Sequence, residues 1–79
     1  MDRRELEAKI MEFVSTTYNV DKTGLSMETS FKDDLKGASV LMVGLVSEIE
    51  NELDATIALQ EAAACATIGE LVDKVEEEL

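Results

Sequence analysis

Histidine, proline and tryptophan are absent from this 79-residue sequence, and Cys65 is its single cysteine. Without histidine the chain cannot form a Ser–His or Cys–His catalytic pair, and clustered Cys/His metal sites are excluded. The four glycines are scattered and make no phosphate-binding loop. Asp33, Asp34 and the terminal glutamates match no calcium-loop pattern. We therefore expect neither an autonomous enzyme nor a metal protein.

Positive charge is scarce, because the sequence has 7 basic and 18 acidic residues and a net charge of −11. Such a chain repels nucleic acid and anionic membranes, and it suits docking onto basic patches of partner proteins. Solubility alone would explain the same charge. No apolar run is long enough to cross a bilayer, and the start is too polar for a secretory signal. We expect a cytoplasmic monomer without membrane insertion.

The remaining composition favours helices. Alanine and leucine are abundant, glycine is sparse, and the aromatic residues are limited to Phe13, Tyr18 and Phe31. The length allows one small domain, residues 1–79. We therefore predict a single all-α domain with an aliphatic core.

Apolar periodicity predicts where the helices lie. The first runs from about Arg3 to Tyr18 and the second from Ser39 to about Leu53. A short helix is expected over residues 60–65, and Thr67 and Glu70 have the spacing of a capping box that opens the last helix. The predicted core face of the second helix consists of Met42, Val43, Leu45, Val46, Ile49 and Leu53.

The connection over residues 19–29 is long for a link between helices, and we expect Val20, Leu25 and Met27 to anchor it in the core. Ser30 and Asp33 have the spacing of a cap for a short turn that ends near Leu35. Gly37 is predicted to let the chain change direction before the second helix.

Cys65 follows three alanines and precedes a fourth. Burial as a small apolar residue is the favoured interpretation. A reactive thiol is the alternative, but no basic neighbour in the sequence would lower its pKa.

Ser39 is the residue that carries the functional hypothesis. It opens a strongly apolar helical run, in a chain with no histidine to activate its hydroxyl. Such a serine is better suited to accept a group from another enzyme than to catalyse. The simpler alternative is that Ser39 only caps the second helix.

The residues around Ser39 resemble the acyl carrier proteins. Phe31, Asp33, Asp34 and Leu35 match the approach to the family's modified serine, and Thr67-Ile68 matches the opening of its last helix. The family's second-helix pattern and the start of its next loop are matched by Val43, Leu45, Val46, Ile49, Glu50, Glu52, Leu53, Asp54 and Ile57. The resemblance implies a small acyl-carrier-like four-helix bundle, with three main helices and one short one.

The resemblance also implies a function. A phosphopantetheinyl transferase would attach 4′-phosphopantetheine from coenzyme A covalently to Ser39, and the arm would carry an acyl, aminoacyl or polyketide group as a thioester. Acyl-loading and acyl-using enzymes with basic patches would be the other partners. We expect them to dock at Val40, Leu41, Glu48 and Glu52.

The sequence also departs from the family pattern. Ala38 and Val40 stand where the family usually has Asp and Leu around the serine, and Leu41 and Gly44 stand at positions that are commonly acidic. These changes predict a specialised lipid or secondary-metabolite pathway instead of ordinary fatty acid synthesis. The alternative hypothesis is an unmodified acidic interaction module that keeps the same fold.

Overall fold

A computed structural model describes residues 1–35 and 39–79, with the backbone alone at Ser39. In these ranges the α-helices are α1 (Arg3–Tyr18), α2 (Ser39–Leu53), α3 (Leu59–Ala64) and α4 (Ile68–Glu78). A 3₁₀ turn covers Lys22–Gly24 and a π-helical turn covers Phe31–Leu35. The predicted all-α fold with three long helices and one short one is confirmed. The predicted change of direction at Gly37 lies outside the described residues.

The helix bounds follow from local sequence signals. The Asp2 side chain accepts a hydrogen bond from the Glu5 N–H at 2.9 Å and so caps the start of α1. Asn19 ends α1 in the left-handed conformation, with φ 55°, and its N–H donates to the Ser15 carbonyl oxygen. Asp54 follows α2 with φ 56°. Asn and Asp tolerate this conformation better than other residues with a Cβ, so both helices end where these residues occur.

The core is aliphatic, as predicted. Helix α1 packs against α2 and α4, and α3 packs against α2 and α4. The buried core side chains are Leu6, Ile10, Phe13, Val14, Phe31, Met42, Leu45, Val46, Ile49, Ala55, Ile57, Ala62, Cys65, Ile68, Leu71, Val72 and Val75. Tyr18 is half-buried against Phe31, with ring centroids 6.0 Å apart.

One predicted core residue lies at the surface. The side chain of Val43 is 45% exposed, whereas the neighbouring Met42 is 7% exposed. At about 100° per residue, Val43 lies about 60° from the outward direction of Val40 and about 120° from fully buried Ile49. The prediction failed because the apolar residues of α2 extend beyond the face that α1 and α3 cover.

The segment before α2 is fastened to the start of α4. Backbone hydrogen bonds join the Phe31 N–H to the Ala66 carbonyl oxygen at 3.0 Å and the Ile68 N–H to the Thr29 carbonyl oxygen at 3.1 Å. Leu25 and Met27 of the same segment are half-buried against the core, as predicted. Val20 is also half-buried, but it is not among the apolar residues packed against the core, so its predicted role as an anchor is not confirmed. These contacts fix residues 29–35, which lead towards α2.

Both predicted caps form, and in each of them one hydrogen bond has a different partner from the one that the capping pattern predicts. The Asp33 N–H donates to Ser30 Oγ at 3.0 Å, but the carboxylate that accepts from the Ser30 N–H belongs to Asp34. At α4 the Glu70 N–H donates to Thr67 Oγ1 at 3.2 Å, while Glu70 Oε1 accepts from the N–H of Ala66, one residue before the cap. Each turn therefore has two of its free backbone donors satisfied by side chains.

Candidate functional site: the start and outer face of α2

Ser39 is the first residue of α2, and this position defines the candidate site. The first turn of a helix has N–H groups without partners in the helix, and the helix dipole favours negative charge there. No acidic residue lies in the first turn of α2, so no carboxylate within that turn opposes an added anion. The start of α2 thus fits a phosphodiester on Ser39. Ala38, the first departure from the family pattern, lies outside the described residues.

The residues that follow Ser39 include large apolar side chains at the surface. Val40 is 70% exposed, Val43 is 45% exposed, and Leu41 is half-buried. Val40 therefore lies at the surface directly after Ser39, the first residue of α2. Sequence reasoning missed Val43 as a surface residue, because periodicity does not show how much of the α2 circumference α1 and α3 cover.

The carboxylates of α2 all lie in its second half. Glu48, Glu50 and Glu52 are exposed. With a rise of about 1.5 Å per residue, Glu48 lies about 14 Å and Glu52 about 20 Å along the axis from Ser39. Of the four predicted docking residues, Val40 and Leu41 are therefore at one end of α2, and Glu48 and Glu52 are towards the other.

Charge is divided unequally along the chain. Residues 1–36 hold eight acidic and six basic residues, a net charge of −2, whereas residues 37–79 hold ten acidic residues and one basic residue, a net charge of −9. The one basic residue of the second part is Lys74 on α4. Helices α2 and α3 thus contain no basic residue.

The inner face of α2 belongs to the core. Met42, Val46 and Ile49 are at most 8% exposed. Ile57 and Ala62, from the loop after α2 and from α3, are buried in the same cluster. These side chains of α2 therefore pack in the core of the bundle.

A groove of about 300 Å³ lies between α3 and α4, apart from the start of α2. It is lined by Glu61, Ala64, Cys65, Glu70, Asp73, Lys74 and Glu77. The buried Cys65 thiol donates a hydrogen bond to the Glu61 carbonyl oxygen at 3.4 Å, and burial, followed by the charge of Glu70, raises the pKa of this thiol. The geometry supports the interpretation of Cys65 as a small apolar core residue.

Neither a metal cluster nor a membrane span is found in the described residues. No three or more Cys, Asp or Glu side chains in ranges 1–35 and 39–79 come together as metal ligands. In the same ranges, every helix falls short of the length and apolar character that crossing a bilayer needs.

Comparison with known proteins identifies the family. The family model described as a phosphopantetheine attachment site matches residues 8–75. An acyl carrier protein of Rubrobacter xylanophilus is 36% identical over 77 residues, which cover 98% of this chain and 95% of the relative. An acyl carrier protein of Exiguobacterium is 30% identical over 79 residues, with full coverage of both chains. One of Chlorobium phaeovibrioides is 29% identical over 75 residues, which cover 95% and 96%.

These matches span nearly the whole chain, and they agree with the all-α bundle that the structure shows. The chain belongs to the acyl carrier protein family, whose members are carriers instead of enzymes and whose cofactor is 4′-phosphopantetheine.

Proposed function

We propose that this chain carries an acyl group as a thioester on a 4′-phosphopantetheine arm attached to Ser39. The observation that carries the proposal is the position of Ser39 as the first residue of α2, with no carboxylate in the first turn. When bound, the arm supplies a thiol on a flexible tether, which raises the effective concentration of the cargo at partner active sites.

Attachment needs a separate enzyme. It forms a bond between Ser39 Oγ and phosphorus and breaks the pyrophosphate link of coenzyme A, so that adenosine bisphosphate leaves. The hydroxyl proton passes to a base of the transferase, since this chain has no histidine. The N–H groups of the first turn of α2 then stabilise the phosphodiester charge.

Partner enzymes dock on α2 in this proposal. Val40 and Leu41 contact the partner next to the attachment point, and Glu48 and Glu52 face basic side chains farther along the helix. The net charge of −9 on residues 37–79 supports fast association with basic patches, at rates that fall with salt. We expect the chain to act as a monomer in the cytoplasm.

The pathway is inferred to be a specialised lipid or secondary-metabolite pathway. The support is the first half of α2, where Leu41 and Gly44 occupy positions that are commonly acidic in the family and where Val40 is exposed. Enzymes that recognise carboxylates at those positions lose their contacts here. The malonyl-loading acyltransferase of ordinary fatty acid synthesis offers a test, with the Rubrobacter xylanophilus relative as the reference substrate. Equal loading of both proteins would contradict the specialised assignment.

Intact-mass measurement tests attachment directly. The chain is incubated with coenzyme A and a broad-specificity phosphopantetheinyl transferase. We expect the wild type to gain the mass of one phosphopantetheinyl group and Ser39→Ala to gain none. Ser47→Ala is the matched control, because Ser47 is exposed on the same helix, and it should be modified like the wild type.

Two outcomes would contradict the proposal. Addition of a phosphopantetheinyl group to Ser39→Ala would show that the attachment site is another residue. A folded wild type that no transferase modifies, including one encoded beside its gene, would favour the unmodified interaction module.

A further inference from the structure

The groove between α3 and α4, called the α3–α4 groove below, combines a concave shape with an excess of negative charge. Its volume is about 300 Å³. Its lining contains four carboxylates and the amine of Lys74, a net charge of −3. Ala64 and the buried Cys65 supply apolar surface in the same groove. A concave surface that joins apolar groups to a few charged ones is typical of a binding site.

Two of the four carboxylates already have partners within the chain. Asp73 Oδ1 lies 2.8 Å from Arg3 Nη1, and Glu70 Oε1 accepts a backbone hydrogen bond at 3.0 Å. The carboxylates of Glu61 and Glu77 form no ion pair and accept no side-chain hydrogen bond in the part of the chain that the structure describes. The charge of these two residues is therefore not neutralised by contact within the described ranges.

Lys74 reduces the negative charge of the groove without cancelling it. It is the one basic residue among residues 37–79, and it is half-buried. Within residues 1–35 and 39–79 its amine forms no ion pair. Lys74 therefore competes with any cation that enters the groove from another molecule, because like charges repel.

The chemistry of the lining selects one kind of occupant. An anion is repelled, and an acyl chain would bury carboxylates without a partner for their charge. No three or more Cys, Asp or Glu side chains in the described ranges come together as metal ligands. An arginine side chain fits both parts of the groove, because its methylene stem covers apolar surface and its planar guanidinium donates to carboxylates.

We propose that the α3–α4 groove is a docking site for an arginine side chain of a partner protein, with Glu61 and Glu77 as the acceptors. The lining contains no residue of α2, so a partner held in the groove need not cover Ser39. Such a partner keeps the carrier at a high effective concentration beside the enzymes that act on its arm. Docking itself does not depend on modification of Ser39.

A titration of the full chain, followed by NMR shifts of its backbone amides, tests the proposal. The probe is a short alanine peptide that carries two arginines and is acetylated and amidated. We expect saturable shifts centred on Ala64, Cys65 and Lys74. The same peptide with citrulline in place of arginine is neutral and nearly equal in shape, and it should produce no such shifts. Shifts centred on α2 would overturn the proposal.

Two groove variants should change the affinity in opposite directions. Glu77→Gln removes an acceptor and should weaken binding about threefold, the size of one exposed ion pair. Lys74→Met keeps an apolar stem but removes the competing cation, so it should strengthen binding by a similar factor. A thermal melt checks that both variants are folded. A change in the reverse direction in either folded variant would overturn the proposal.

Matched variants outside the groove separate docking from general attraction. Glu48→Gln removes a negative charge from α2, and Lys9→Met removes a positive charge from α1. Both should change the dissociation constant less than the groove variants do, because salt screens charges that do not contact the peptide. Equal effects inside and outside the groove would show diffuse attraction to a chain of net charge −11 and would overturn docking.

Ser39→Ala separates this inference from the proposed function. The variant lacks the attachment point but keeps the groove, so it should bind the peptide like the wild type. Failure of every transferase to modify the wild type would contradict attachment and leave docking in the groove intact. Absence of saturable binding to the wild-type groove would overturn docking and leave attachment at Ser39 unaffected.

Discussion

The backbone N–H of Gly69 donates to the carbonyl oxygen of Met27 at 2.8 Å, so the first turn of α4 touches the loop of residues 19–29 backbone to backbone. A Cβ on residue 69 would lie 2.9 Å from that oxygen and 3.3 Å from the Met27 Cβ. Real Cβ atoms essentially never approach an oxygen that closely. Glycine at this position therefore permits the contact that holds the loop against α4.

Replacing Gly69 with alanine should destabilise the protein. Alanine gains up to about 1 kcal/mol of helix propensity, but the added methyl group must displace the Met27 backbone, and overpacking of this kind costs about 1–3 kcal/mol. We expect a net loss of about 1 kcal/mol, measured as a lower urea midpoint at an unchanged slope. A urea midpoint equal to or above that of the wild type would show that the loop accommodates the added methyl group without a loss of stability.

Gly44 on α2 should respond in the opposite direction. A Cβ there would lie 3.7 Å from Thr17 Cγ2, which is ordinary van der Waals contact. Gly44→Ala should therefore stabilise the chain by about 0.5–1 kcal/mol through helix propensity alone. A higher urea midpoint for Gly44→Ala than for the wild type would confirm this gain, and a lower midpoint would contradict it. The two glycine variants act as controls for each other, since both add one methyl group to a helix.

Local sequence signals were sufficient to predict α1 and α2 to the residue. Each helix has a strong apolar period and ends at a residue that tolerates the left-handed conformation, Asn19 or Asp54. The short α3 was predicted one residue late at both ends, because Ala58 gives no side-chain cap and a run of alanines carries little positional information. Val43 was placed in the core because periodicity gives a direction on the helix but not how much of its circumference the neighbouring helices cover.

Contacts between distant parts of the chain could not be predicted from the sequence. The approach of Met27 to Gly69 depends on how the loop crosses α4, and a glycine within a helix is a weak signal without that path. The same holds for Arg3, whose partners include residues 70 and more positions away. At the candidate site, Ser39 was identified from local spacing and family resemblance, whereas the surface beside it required the packing of α2.

Arg3 joins the start of α1 to the end of α4. Its Nε lies 2.9 Å from Glu7 Oε2, and its Nη1 lies 2.8 Å from Asp73 Oδ1 and 2.9 Å from Glu76 Oε1. The hydrogen bond to Glu7, followed by the one to Asp73, holds the pKa of Arg3 above its usual value. Arg3 thus offsets repulsion between carboxylates on two helices.

Loss of this cation should lower the melting temperature more at low salt than at high salt. In Arg3→Gln the carboxylates of Glu7, Asp73 and Glu76 repel one another without the cation, and salt screens that repulsion. Arg4→Gln removes the same charge from a residue that makes no ion pair in the described ranges, so it should change the melting temperature less. Equal shifts in both variants at each salt concentration would contradict a specific role for Arg3.

The buried Cys65 thiol should react slowly in the folded protein. Burial, with the charge of Glu70 as the next cause, raises the pKa of this thiol and so lowers its thiolate fraction at neutral pH. A disulfide reagent should therefore label the folded chain more slowly than the urea-unfolded chain, and the difference should narrow as the pH rises through the folded pKa. Equal rates at neutral pH would contradict the buried position.

The same pKa shift gives a pH dependence of stability. A raised folded pKa means that the neutral thiol is favoured in the native state, so the contribution is fully present below the pKa of the unfolded thiol and is lost as the pH rises through the folded pKa. Between neutral and alkaline pH, the wild type should lose more stability than Cys65→Ala, which lacks the group. Urea midpoints for both proteins across that range measure the difference. Urea midpoints that fall in parallel with pH in the two proteins would show that Cys65 does not contribute and that other groups cause the loss of stability at alkaline pH.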